Sequence, residues 1–253
     1  MARIISVANQ KGGVGKTTTA VNLAASIAIA ERKVLLIDFD PQGNATSGLG
    51  IEKNGSGVYQ AMIGNIGLSR LLTDTELRFL KVIPSSIDLI GAEMELVDEP
   101  DREFRLKQCI KDIAGDFEYI LIDCPPSLSI LTVNALVASD SILIPLQCEY
   151  YALEGISHII KTIDLIKARL NPALEIEGIV LTMFDARNNL SHQVEQDIRN
   201  HFAKKTFKTV IPRNVRISES PSFGKPVLLY DIQSKGSLSY MELAREIISG
   251  DTR

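Results

Sequence analysis

Apolar residues gather along this chain in short unbroken runs, separated by longer stretches of mixed pattern. Val34-Leu35-Leu36-Ile37 and Ile120-Leu121-Ile122 are apolar at successive rather than alternate positions. A strand reads this way when both of its faces are covered, which points to a parallel sheet between helices. Such runs predict strands at 4–8, 34–38, 81–83, 119–123, 141–145, 179–183 and 208–211. Apolar positions at helical spacing predict helices at roughly 16–31, 102–114, 152–170 and 190–205, with a last one at 238–249. Alternating strands and helices imply a doubly wound α/β fold with a mainly parallel sheet flanked by helices. No linker, repeat or low-complexity segment interrupts the pattern, so residues 1–253 are expected to form a single domain. The stretch 43–67 carries seven glycines and is expected to be mobile surface within it.

Composition narrows the class. Hydrophobic residues make up 45% of the 253 and charged residues 23%, an ordinary globular balance with enough chain for a substantial core. No apolar run reaches the ~18–20 residues needed to span a bilayer. No small-residue cleavage site follows the first apolar run, so a cytoplasmic location is expected. Cys109, Cys124 and Cys148 are far apart, odd in number and without a C-x-x-C pair. They form neither a disulfide framework nor a zinc site. His158, His192 and His201 lack metal-ligand spacing. The net charge of -4 excludes a basic field over the whole molecule. Between residues 187 and 235, however, nine basic residues stand against four acidic ones, a local excess of five. Such a region is either a localised polyanion site or a solvated face.

The chemistry concentrates after the first strand, in Asn9-Gln10-Lys11-Gly12-Gly13-Val14-Gly15-Lys16-Thr17-Thr18, with a helix to follow. Glycines let backbone N–H groups turn inward around phosphate oxygens, and the helix N-terminus adds a positive dipole end. Lys16 is placed to reach the outer phosphates of ATP, and the Thr17 hydroxyl to bind Mg²⁺. Asp38 and Asp40 follow the second strand, and Asp123 ends the strand at 119–123. Carboxylates just past strand ends, facing a phosphate loop, can orient a water or support Mg²⁺. Resemblance to related ATPases implies that Asp40 orients the water that attacks ATP, and Asp123 is expected to hold Mg²⁺ through water, with Asp38 in the same network.

Where the strict phosphate-loop pattern G-x-x-x-x-G-K-[ST] has its first glycine, this chain has Gln10, and a second lysine, Lys11, opens the loop. The stretch resembles the deviant Walker A motif, K-G-G-x-G-K-T. Further stretches extend the likeness over almost the whole chain. They are 38–50, 122–127, 147–155, 181–187 and 210–227, with Ile211-Pro212-Arg213-Asn214-Val215-Arg216 the most specific. Together they resemble the chromosome-partitioning ATPases of the ParA/Soj type. With no helix-turn-helix ahead of the phosphate loop, the likeness is to the small, chromosomal class. The resemblance implies an ATP-bound sandwich homodimer, with Lys11 reaching the partner's nucleotide and Gly12 at the close approach. It implies ATP and Mg²⁺ held by residues 11–18, among them Gly13, Val14, Gly15 and Thr18, and it sets Pro212 and Asn214 near the adenine. It also implies non-specific double-stranded DNA binding by Arg187 and Arg216, hydrolysis stimulated by a ParB-type centromere-binding protein, and a nucleoid-associated ATP form. The rival reading is a septum-site-type, membrane-associated ATPase. That class needs a basic amphipathic C-terminal helix, whereas residues 239–253 carry mixed charge and no lysine. A core-packing helix and no stable membrane binding are therefore expected.

Overall fold

The structure, a computed structural model, describes residues 2–53 and 55–250. One eight-stranded sheet runs through them. Its strands are β1 (Arg3–Val7), β2 (Val34–Asp38), β3 (Thr73–Asp74), β4 (Leu80–Ile83), β5 (Tyr119–Asp123), β6 (Ser141–Gln147), β7 (Glu175–Phe184) and β8 (Thr206–Pro212). Their order across the sheet is β3-β4-β2-β5-β1-β6-β7-β8. Every pairing is parallel except that of the two-residue β3 with β4. The helices are α1 (Lys16–Ile29), α2 (Asn44–Gly48), α3 (Val58–Met62), α4 (Leu89–Glu95), α5 (Arg105–Lys111) and α6 (Ile130–Ala138) in the first part of the chain. Then come α7 (Ala152–Arg169), α8 (Asn189–Phe202), α9 (Val215–Glu219), α10 (Val227–Tyr230) and α11 (Lys235–Ser249).

Successive strand residues serve opposite faces. Val34 and Leu36 join the core formed with α1, α10 and α11, while Leu35 and Ile37 join the core formed with α3 to α8. This is the physical content of an unbroken apolar run: a strand with no polar face. β1 lies between β5 and β6, and from it the chain winds outward in both directions along the sheet. A crevice at the carboxyl end of such a strand is where open α/β sheets bind ligands.

Two expectations change. The glycine-rich stretch 43–67 is folded rather than loose surface, because it contains α2 and α3 and buries Ala45, Thr46, Val58 and Met62. Gly57 shows why glycine stands there: a Cβ would lie 2.6 Å from the carbonyl oxygen of Pro84, the same oxygen that accepts the Val58 N–H at 2.9 Å. The helix expected over 102–114 is shorter. α5 is flanked by 3₁₀ turns at Arg102–Phe104 and Ala114–Asp116. α6 was not anticipated, since Ile130–Ala138 is apolar nearly all round and has no helical period to read. α11 lays Tyr240, Leu243, Ala244 and Ile247 into the core against α1 and β8. No helix among the described residues is long and apolar enough to cross a membrane, and residues 251–253 of the C-terminal segment lie outside the described residues.

Candidate active site

β1 delivers the chain into the phosphate loop and α1 leads it away. Gly13 (φ +75°) and Gly15 (φ +88°) adopt left-handed backbone, the region that favours glycine. A Cβ added at Gly12 or Gly13 would meet nothing within 4 Å, so the loop is open around these two residues. The loop is tied down from outside. Asn9 donates its amide N–H to the Pro145 carbonyl (2.8 Å) and accepts the Lys11 N–H (3.1 Å). Thr182 donates its hydroxyl to the Val14 carbonyl at 2.9 Å.

Lys16 is buried and donates its ammonium to the Lys11 carbonyl at 3.0 Å, spanning the loop. Burial lowers its pKa, opposed by the charge of Asp123 and, more weakly, by that of Asp40. Lys11 points elsewhere: its ammonium pairs with Glu149 of the same chain. Sequence reasoning did not single out Glu149, which lies in a stretch quoted only for its family likeness.

The three carboxylates prove to have different environments. Asp38 is fully buried and accepts both the N–H (2.7 Å) and the hydroxyl (2.6 Å) of Thr46, with the Asp40 N–H at 3.3 Å on its other oxygen. It does not line the cleft described below; it fixes the turn that carries Asp40. Burial nevertheless raises its pKa to about 6, against those hydrogen bonds. Asp40 lines the cleft and accepts the Gln42 N–H at 3.0 Å. Asp123 is fully buried at the end of β5, in register with Asp38 of β2 and Val7 of β1. Neither of its oxygens has a hydrogen-bond partner among the described residues. Burial first, and the charge of Asp38 second, push its pKa well up, while the Thr17 hydroxyl acts in the opposite direction from outside hydrogen-bonding geometry.

An unpartnered buried carboxylate close to Lys16 and Thr17 fits a cation at the head of α1. No group of three His, Cys, Asp or Glu among the described residues could hold a metal alone. Mg²⁺ does not need one, since it keeps several waters and takes one or two protein ligands plus phosphate oxygens.

The cleft has two halves. One, of about 370 Å³, is lined by Gly12 to Thr18 without Val14, together with Asp40, Gln42 and Asn44. The other, of about 270 Å³, is lined by Thr182, Ile211, Pro212, Asn214, Ile217 and Tyr240 among others. Gly15, Thr18 and Met183 belong to both, so the halves adjoin. Met183 holds φ +52°, an uncommon backbone for a residue with a Cβ, at the junction. Pro212 and Asn214 thus lie in the second half, which adjoins the glycine loop through Gly15, Thr18 and Met183. The Asn214 side-chain oxygen accepts the Arg216 N–H at 2.9 Å and so caps α9.

The basic region is less free than its charge count implies. Arg187 is exposed and forked onto Asp185 at 2.9 and 3.0 Å, and that contact holds the Asp185 carboxyl down at about 2. Arg216 pairs with Glu219 (3.0 Å) and Asp231 (3.3 Å) and lies over the Tyr230 ring at 5.9 Å. Arg199 is held by Glu195 and two carbonyls, and Lys225 by Glu76. Four of the nine cations are therefore ion-paired among the described residues.

Comparison with known proteins supplies the family. Residues 2–176 match the model of the AAA domain family AAA_31. The chain is 58% identical over 254 residues to the chromosome partitioning protein ParA of Myxococcus xanthus, covering 100% of this chain and 90% of that protein. It is 53% identical to the sporulation initiation inhibitor protein Soj of Bacillus subtilis, covering 98% of each. Among solved structures it resembles cobyrinic acid a,c-diamide synthase of Mycobacterium smegmatis with bound ADP and magnesium. The TM-score there is 0.86 at 35% identity, over 98% of this chain and 94% of that one.

Proposed function

The chain belongs to the ParA/Soj family of chromosome-partitioning ATPases, and we propose that it is an ATP-dependent DNA-segregation switch. In this reading it binds and hydrolyses ATP with Mg²⁺. The ATP form is a sandwich homodimer that binds double-stranded DNA without sequence preference, and hydrolysis stimulated by a ParB-type centromere-binding protein releases it. The observation that carries the reading is the two-part cleft. An open glycine loop with Lys16 at its centre adjoins a half lined by Pro212, Asn214 and Tyr240, suited to a nucleoside.

The chain's own residues divide the work. Backbone N–H groups of residues 12–18 and the Lys16 ammonium take the phosphates, since helix N-termini and lysine both favour that charge. The Thr17 hydroxyl, and Asp123 through water, hold Mg²⁺, which when bound neutralises negative charge on the phosphate oxygens. Asp40 orients the attacking water, its loop fixed by Asp38 and Thr46. Catalysis of this kind is positioning plus charge neutralisation. Lys11 leaves Glu149 to reach the partner's nucleotide. Arg187 and Arg216 take DNA phosphates, which give affinity without reading bases.

The test is duplex DNA binding by the purified chain with ATP, with ADP and without nucleotide. Binding confined to the ATP state is expected. Equal affinity in all three states would remove the switch, and with it this reading.

A further inference from the structure

β8, at the edge of the sheet, changes step just before it reaches the cleft. Ile179 of β7 lies opposite Thr206 and Leu181 opposite Val210, so residues 207–209 have Val180 alone across from them. Surplus residues of this kind form a bulge, which frees backbone groups from the ladder and re-aims the strand beyond it. Such groups need partners elsewhere.

Two side chains supply them, from different helices. The Lys208 and Thr209 N–H groups donate to the two carboxylate oxygens of Glu246 on α11, at 2.9 and 2.8 Å. The Phe207 and Lys208 carbonyls accept the two terminal N–H groups of Arg199 on α8, at 3.1 Å each. Glu246 is buried, whereas Arg199 is half-buried. A buried carboxylate that takes two successive backbone N–H groups fixes strand and helix to each other.

What the bulge re-aims is one wall of the cleft. Beyond it, Ile211, Pro212, Arg213 and Asn214 line the half that adjoins the glycine loop, and the Arg213 N–H returns to the Phe184 carbonyl at 2.9 Å. Tyr240, on the same helix as Glu246, lines that half too. It is itself fixed, buried in the core with its hydroxyl 3.4 Å from that of Thr19. Glu246 therefore sets how far the end of β8 stands from α11, and with it the width of a space that both of them line. Binding groups must be held to within about 0.5 Å of their working geometry. Phosphates, gripped by the loop and the head of α1, do not depend on that width.

We infer that Glu246 is a positioning residue for the nucleoside: it touches no ligand, but holds the bulge that sets the 211–214 wall at base-binding distance from α11. This role rests on the reading of that half as the nucleoside site. It involves no DNA, so its failure and failure of the switch are distinguishable.

The ligands for the test are ADP and inorganic pyrophosphate, each with Mg²⁺, titrated calorimetrically into the full chain. ADP keeps hydrolysis and the proposed dimer out of the measurement. Glu246→Gln replaces one acceptor oxygen by an N–H donor that faces an N–H. It is expected to lose about ten-fold in ADP affinity while pyrophosphate affinity holds to within about two-fold. Glu177→Gln is the comparator. Glu177 is also a buried carboxylate, held by Arg3 (2.6 Å) and Ser141 (2.7 Å) at the amino ends of β1 and β6. Its loss should cost stability and leave the ratio of the two affinities unchanged. Arg199→Met frees the carbonyls of the same bulge from a less buried position and should lower the ratio in the same direction. It decides the matter if Glu246→Gln does not melt as a folded chain. An unchanged ratio in folded Glu246→Gln, or in Arg199→Met where that variant decides, overturns the proposal, and so does an equal fall in Glu177→Gln. A wild type that binds ADP no more tightly than pyrophosphate overturns the nucleoside reading and the role of Glu246 with it.

Discussion

Among single residues, the three carboxylates show how environment separates like groups. Asp40 alone is both in the cleft and adjacent to open space for a nucleotide, so Asp40→Ala is expected to bind ATP and stay dimeric while hydrolysis falls by about 10²-fold or more. An unchanged steady-state rate would take Asp40 out of the reaction. Asp123 gives a prediction about pH. Burial and the charge of Asp38 raise its folded pKa well above the unfolded value. The folded state then binds more protons than the unfolded state, so the group's contribution is full below about pH 4 and is lost as pH rises toward the folded pKa. Asp123→Asn keeps the shape without the charge. In nucleotide- and Mg²⁺-free buffer its melting temperature should gain on the wild type from pH 5 to pH 7.5, by about 2–4 °C for each kcal/mol of relieved charge burial. A gap that does not widen with pH would mean that Asp123 is ionised at no cost. Lys16, Thr17, Asp40 and Asp123 were legible in the sequence because each sits at a strand end or in one contiguous loop. Glu149, Thr182 and Met183 were not: they meet that loop from more than 130 positions away, and a lone Glu, Thr or Met carries no local signal.

Elements were legible in proportion to how one-sided their chemistry is. Strands buried on both faces announced themselves as apolar runs, and all seven expected strands are present, although β7 and β8 begin earlier than their apolar stretches. α6 was missed for the opposite reason, since an all-apolar helix gives no periodicity and reads like strand or loop. In the 43–67 stretch glycine is not a sign of freedom. At Gly57 it is a sign of close approach, with the Pro84 carbonyl oxygen 2.6 Å from where a Cβ would stand. Since that neighbour is backbone on the segment joining β4 to α4, it cannot rotate away. Gly57→Ala is therefore expected to cost about 1–3 kcal/mol, the range for overpacking, seen as a lower denaturant midpoint at unchanged slope. Because the same segment carries Ser85, whose N–H holds Thr46 and through it Asp38, the variant should also lose hydrolysis relative to ATP binding. Wild-type stability in Gly57→Ala would show that α3 and the β4–α4 segment can part without consequence.

At the scale of the whole molecule, Lys11 and the two outlying arginines are all held by carboxylates of their own chain. Lys11 is paired with Glu149 within its own chain, and Lys11→Ala should leave ATP binding by the monomer nearly intact while abolishing the ATP-dependent dimer; a normal dimer by light scattering would remove the trans contact. In the proposed switch, DNA binding would depend on that dimer for a physical reason. Four of the nine cations between 187 and 235 are already ion-paired, Arg187 with Asp185 and Arg216 with Glu219 and Asp231 among them, so one copy presents a weak polyanion site on an acidic chain. Two copies side by side would double the number of phosphates engaged, and the second set would bind at high effective concentration once the first is in place. Arg216 has a further link to the cleft, since it lies on five-residue α9, whose cap Asn214 and whose Ile217 both line it. The Arg187→Ala/Arg216→Ala variant is expected to bind ATP and dimerise as the wild type does. Its affinity for duplex DNA of any sequence should fall, and the slope of log affinity against log salt should drop by roughly one for each phosphate that is no longer neutralised. Each displaced carboxylate partner offsets part of what a phosphate contributes, so the effect per arginine should be smaller than for an unpaired cation. Removing the partners gives the converse: Glu219→Gln/Asp231→Asn should tighten DNA binding in the ATP state. An affinity titration across salt concentrations measures both variants. Unaltered affinity and slope in the double-arginine variant would mean that the basic stretch is a solvated face and that the dimer meets DNA elsewhere.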